Sequence, residues 1–157
     1  MANLRDYRPL RLMTEDAEDL KVLSAMLQDA IGKVGDFAYL PEQRRFAFVA
    51  NRFVWEIAGE RRRGAFARVR AGCHFDDVIA VRQQNLRTDT KNGVVELLAI
   101  SFEPGENFKP GEDGAGIVTL EFAGGGAIRF DVESVNAQLS DISAPWPVRM
   151  RPDHGKD

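Results

Sequence analysis

Ile117-Val118-Thr119-Leu120-Glu121-Phe122, then Ala123-Gly124-Gly125-Gly126, then Ala127-Ile128-Arg129-Phe130-Asp131-Val132, is the stretch whose reading decides the fold. Two runs of β-branched and aromatic residues flank a glycine turn, which is the pattern of a hairpin. The three glycines lack the Gly-Lys-Ser/Thr ending of a phosphate-binding loop, and they precede a strand rather than a helix. They read as a turn.

Working outward, strand signals continue in both directions. Val34 to Leu40 is an apolar, aromatic run, and Pro41 to Arg44 reads as the connection to a second run, Arg45 to Glu56. That second run is apolar on both faces, as a central strand would be. Phe66 to Arg70 alternates in the manner of a half-buried strand. Val78 to Arg82 and Val94 to Phe102 add two more, the second coming after a turn at Asn92-Gly93. Glu103 to Gly116, rich in proline, glycine and acid, reads as a mobile loop. The tail after Ile142 reads as irregular, with a frayed polar end over 150–157.

Thr14, with Glu15, Asp16 and Glu18 after it, has the form of a helix start capped by the threonine hydroxyl. The next residues are ambiguous, since Leu20, Leu23 and Leu27 suit a helix while Leu23, Ala25 and Leu27 suit a strand. An internal echo bears on the choice: Asp19 to Asp29 aligns with Asp131 to Asp141, with four identities at the two aspartates, the alanine and the leucine. The echo implies that 20–31 and 131–141 share one secondary structure. The fold class that results is mainly β, an antiparallel barrel-like or sandwich domain of seven or eight strands with one or two short helices. The alternative is an α+β, pleckstrin-homology-like barrel closed by a C-terminal helix. One domain spans 1–157, with its ordered core over 10–142; a chain this long buries roughly 68–70% of its unfolded surface, enough for a core without staples.

Composition narrows the function classes. No apolar run approaches the ~20 residues that span a bilayer, so no membrane association is expected. The single cysteine, Cys73, points to a reducing, cytoplasmic setting. Cys73 and His74 are adjacent, in an expected turn before the strand at Val78; neither this pair nor His154 has metal-ligand or nucleophile spacing. No cofactor, metal or catalytic residue is assigned.

Charge is unevenly placed. Residues 44–91 hold eleven basic and five acidic side chains, a balance of +6, and residues 92–157 hold five and eleven, a balance of −6. Eight arginines lie from Arg44 to Arg70, interleaved with aromatics. Such a stretch fits an anionic or protein partner, or acidic surface of the same chain or of a second copy; the acidic whole chain disfavours nucleic acid. The candidate contacts for a partner or ligand are Gln28, Asp29, Asn51, Arg52, Trp55, Glu56, Arg61, Arg62 and Arg63. Within them, Arg52 and Glu56 are spaced for a local ion pair, with Trp55 packed in the core.

Leu27-Gln28-Asp29-Ala30, Arg45-Phe46, Asn51-Arg52-Phe53 with Trp55-Glu56, and Phe122 to Gly126 with Ile128-Arg129 resemble a bacterial family of unassigned function, DUF2948, found mainly in alphaproteobacteria. The likeness runs from about Leu10 to His154 and includes the tail motif Pro152-Asp153-His154. It implies a stand-alone cytoplasmic domain and carries over no catalytic residue. Two function classes remain: a non-catalytic binding or interaction module, or a small metal-independent enzyme holding an anionic substrate through Arg52 with Asp29 or Glu56.

Overall fold

Alternation of apolar and polar side chains is realised as strand over most of the chain. The structure, a computed structural model, describes residues 4–59, 66–86, 92–105 and 114–152. Eleven strands lie among them: β1 (Arg11–Thr14), β2 (Ala30–Lys33), β3 (Phe37–Leu40), β4 (Arg45–Phe53), β5 (Phe66–Phe75), β6 (Val78–Gln84), β7 (Val94–Pro104), β8 (Gly116–Phe122), β9 (Ala127–Val132), β10 (Ala137–Asp141) and β11 (Trp146–Val148). The helices are α1 (Ala17–Leu27) and one short turn, α2 (Trp55–Ala58). Every strand pair is antiparallel, in the order β1-β10-β5-β4-β2-β7-β8-β9-β6, with β11 also on β5 and β3 also on β4.

The order does not close, yet the sheet curls round one core. Phe46 of β4 stacks on Phe130 of β9 with ring centroids 5.1 Å apart, and Phe75 of β5 meets the same ring edge-on at 4.9 Å. These strands are far apart along the sheet, so their inner faces must fold over one another. Contacts of this kind between rings add about 0.5–1.5 kcal/mol beyond burial. Leu20, Leu23 and Leu27 turn the buried stripe of α1 into the same core, where Ser24 Oγ accepts the Ile100 N–H of β7 at 2.9 Å. That bond falls beside the register shift between Leu97 and Ala99, where β7 bulges.

The mainly antiparallel β class holds, and several local expectations need correction. The strands outnumber seven or eight because β1, β2 and β11, of three or four residues each, are too short to show a period. The helix cap is Asp16, whose carboxylate accepts the Asp19 N–H at 2.8 Å; Thr14 instead ends β1 and is buried. The internal echo fails as a guide, because 17–27 is helix while 137–141 is strand. Ala137 and Leu139 are buried and Gln138 exposed between β1 and β5, so alternation rather than a helical stripe governs there. The alternative closing C-terminal helix is therefore absent from the described residues, and β10 and β11 take its place. Cys73 and His74 lie within β5, not in a turn, and Trp146, Pro147 and Val148 pair with Arg68, Ala67 and Phe66. Glu103 and Pro104 pair with Ile117 and Gly116, so the acidic loop is shorter than its composition suggests; residues 106–113 of it, and 153–157 of the tail, lie outside the described residues.

The β8–β9 hairpin turns on Gly124 at φ 89° and Gly125 at φ 92°. Both angles are left-handed, where a Cβ is strained by about 1–2 kcal/mol per residue. Replacing both by alanine is expected to lower stability by about 2–4 kcal/mol in urea denaturation, whereas an unchanged midpoint would show that the turn adapts.

Candidate functional site

The curl brings near each other two strands that each have a free side among the described residues: β3 pairs only with β4, and β6 only with β9. Between them opens a cavity of about 310 Å³. Its walls arise from the pleat. Val81 and Gln83 of β6 sit opposite Phe130 and Ile128 of β9 and share their inward face. Phe37 and Tyr39 of β3 face them, with Phe122 and Val95 at the back. Tyr39 fixes the mouth, its hydroxyl donating to the Val78 carbonyl of β6 at 3.1 Å.

Phe37 shapes the floor. Its ring lies parallel to Phe48 at 4.8 Å and edge-on to Phe122 at 5.7 Å. It reaches that position over Gly32, where a Cβ would stand 3.1 Å from its Cε1. Among the described residues no charged side chain is in the lining, which favours an uncharged apolar group.

A second constellation is ionic. Arg52 is on the inward face of β4 and fully buried, and the Asp141 side chain of β10 is equally buried. Arg52 Nε and Nη2 donate to the two Asp141 oxygens at 2.8 and 2.9 Å. Nη1 and Nη2 donate to Glu56 of α2 at 2.9 and 2.7 Å, and Nη1 also to the Phe53 carbonyl at 3.5 Å. All five guanidinium donors are thus committed within the protein. Asp141 Oδ2 further accepts the Tyr7 hydroxyl at 2.7 Å and the Leu10 N–H at 2.8 Å.

Burial opposes the charge on Asp141, but the hydrogen bonds from Arg52, Leu10 and Tyr7 outweigh it and hold the carboxyl below its ordinary range. Burial likewise opposes the Arg52 charge, and Asp141 and Glu56 more than restore it. Burial and the adjoining Asp141 push the Tyr7 phenol up.

The expected contact residues therefore do not converge in one cleft. Asn51 and Arg52 are consecutive on β4 and point to opposite faces. Arg52 and Glu56 form the local ion pair expected of them. Gln28, Asp29, Asn51 and Trp55 gather on the other side, where Trp55 Nε1 donates to the Gln28 carbonyl at 3.0 Å and Arg68 bridges the carbonyls of Asp29 and Asn51 at 3.1 and 2.9 Å. Trp55 is half-buried, edge-on to Phe53 at 4.5 Å, with the Arg151 guanidinium 5.3 Å from its ring centre. Arg61, Arg62 and Arg63 lie outside the described residues.

The charge split is answered partly within the chain. Arg44 pairs with Glu133, Arg52 with Asp141 and Arg82 with Asp131, each joining the basic stretch to the acidic one. Cys73 is buried, which pushes its thiol up and leaves the thiolate disfavoured; His74 points the other way, its Nε2 at 3.1 Å from Gln138 Oε1.

Removing one member of a buried pair costs about 3–5 kcal/mol, so Asp141→Asn is expected to fall in that range in urea denaturation, and Glu56→Gln, at a position one-third exposed, below it. Because the Asp141 carboxyl is depressed in the folded state, its contribution is complete above its unfolded value of about 3.9 and is lost as pH falls below it. Stability of Asp141→Asn should accordingly fall less steeply between about pH 5 and pH 2 than that of the wild type. Tyr7, raised in the folded state, loses its contribution as pH climbs past about 10. Parallel acid limbs would remove Asp141 from this role.

Comparison with known proteins adds the family and nothing of its chemistry. No curated protein and no solved structure matches the chain. The model of one family, described as a protein of unknown function, DUF2948, matches residues 10–154. That span takes in β1 to β11, the cavity walls and the Arg52–Asp141 pair, and it shows that the chain belongs to the DUF2948 family.

Proposed function

We propose that this domain is a binding module whose cavity between β3 and β6 receives a small apolar ligand. The observation that carries the reading is the cavity itself: about 310 Å³, aromatic-walled and, among the described residues, lined without charge. Ligand sites are typically concave, mostly apolar hollows of about 300–1,000 Å³ with a few placed polar groups. Tyr39 and Gln83 are the polar groups here. A cavity of about 150 Å³ holds one benzene, so this one suits a body of about two rings or a short branched chain.

The enzymatic alternative gave Arg52 an anionic substrate to hold. Its five donors are already committed to Asp141, Glu56 and the Phe53 carbonyl, and it lies outside the cavity lining. Reaching a substrate would mean breaking a buried pair worth several kcal/mol. That favours binding over catalysis at this position.

The neutral dye N-phenyl-1-naphthylamine, which brightens on leaving water, tests the reading. Saturable binding in the micromolar range is expected, weakened at least about tenfold, or about 1.4 kcal/mol, by Val81→Phe, which fills the cavity from β6. Absence of saturable binding, or binding untouched in a folded Val81→Phe variant, would overturn it.

A further inference from the structure

Outside the cavity, on the opposite face of the β6–β9 pair, a second hollow of about 250 Å³ is lined by Arg82, Gln83, Gln84, Ala127 and Arg129. Gln83 lines both hollows, and among the described residues β6 has no strand beyond it, so both border the free side of β6. Resting on the binding reading above, we propose that the ligand is a small organic anion, its apolar body in the cavity and its single acidic group held by Arg82 and Arg129.

The two arginines oppose each other directly in the β6–β9 register. Like charges placed so are destabilising, and the chain does little to relieve them. Arg82 touches Asp131 at 3.3 Å, with both side chains well exposed, a contact of small worth in water. Arg129 has no hydrogen bond or ion pair among the described residues, and Glu121, next on this face, forms no ion pair with either arginine there. Two forked guanidinium groups, opposite each other in the register and one of them unpaired among the described residues, match the planar geometry of a carboxylate or sulfonate. With no charged side chain among its described lining residues, the cavity disfavours burying the acidic group, so the head belongs at this rim.

Two dyes of similar apolar body separate the proposal from the reading beneath it: 8-anilinonaphthalene-1-sulfonate, which is anionic, and neutral N-phenyl-1-naphthylamine. The sulfonate should bind more tightly, and Arg82→Gln with Arg129→Gln should weaken it about tenfold while changing the neutral dye less than about twofold. Arg129→Gln alone should give part of that loss; with no partner among the described residues to lose, it should keep the fold intact. Added salt should weaken only the anionic dye. If the neutral dye binds and responds to Val81→Phe while the anionic dye gains nothing from the arginines, the anionic head is wrong and the cavity reading stands. If neither dye saturates, both fall.

Discussion

The fold depends on one buried charge. Arg52 stands at the inner end of the central strand β4 with no access to water, and an unpaired guanidinium there would be prohibitive. Asp141 and Glu56 neutralise it from β10 and α2, and Asp141 then gathers Tyr7 and Leu10 from the N-terminal segment. Strand β4, the turn α2, strand β10 and the N-terminal segment are all fixed to one another at this point. A buried pair is weak grounds for stability against an apolar substitute, but a strong constraint on arrangement, since each polar atom has only one place to go. Here that place sets where β10 ends and where the chain enters β1.

With that end of the molecule locked by polar bonds, the other end is held by rings and left open. Phe37, Phe46, Phe48, Phe122 and Phe130 pack by offset and edge-on contacts, and the sheet stops short of closure between β3 and β6. Two bonds at Val78 tie β6 to this side: the Tyr39 hydroxyl donates to the Val78 carbonyl, and the Val78 N–H donates to the Arg44 carbonyl at 2.9 Å. The division bears on the proposed function. The ionic end cannot open without leaving a bare charge, whereas on the proposed reading the aromatic end takes up an apolar body by trading solvent-facing ring surface for contact, at roughly 25 cal/mol per Å² buried.

Most of the sheet was legible in the sequence because alternation and glycine turns are local. The β8–β9 hairpin and the β3–β4 connection stand where the residues put them, and Arg52 and Glu56 pair as their spacing suggested. The short strands were not legible, because three residues such as Trp146 to Val148 carry no period and acquire strand geometry only from β5. The echo between Asp19–Asp29 and Asp131–Asp141 misled, since four shared residues do not outweigh which face the neighbours bury. Arg52 was singled out as a contact for a ligand, and its actual partner, Asp141, is distant in sequence. The cavity had no local signature at all. Phe37 and Val81 look like ordinary core residues, and only the failure of β3 and β6 to pair turns them into a wall.

The central claim is that this wall is a binding surface, and methyl-resolved NMR with the neutral two-ring dye tests it most directly. Intermolecular Overhauser contacts should appear at the methyls of Val81, Val95 and Ile128, which line the cavity, and not at Leu23 or Val69, which are buried elsewhere. Contacts at Leu23 or Val69 without those at Val81 and Ile128, or no contacts at saturating dye, would contradict the account.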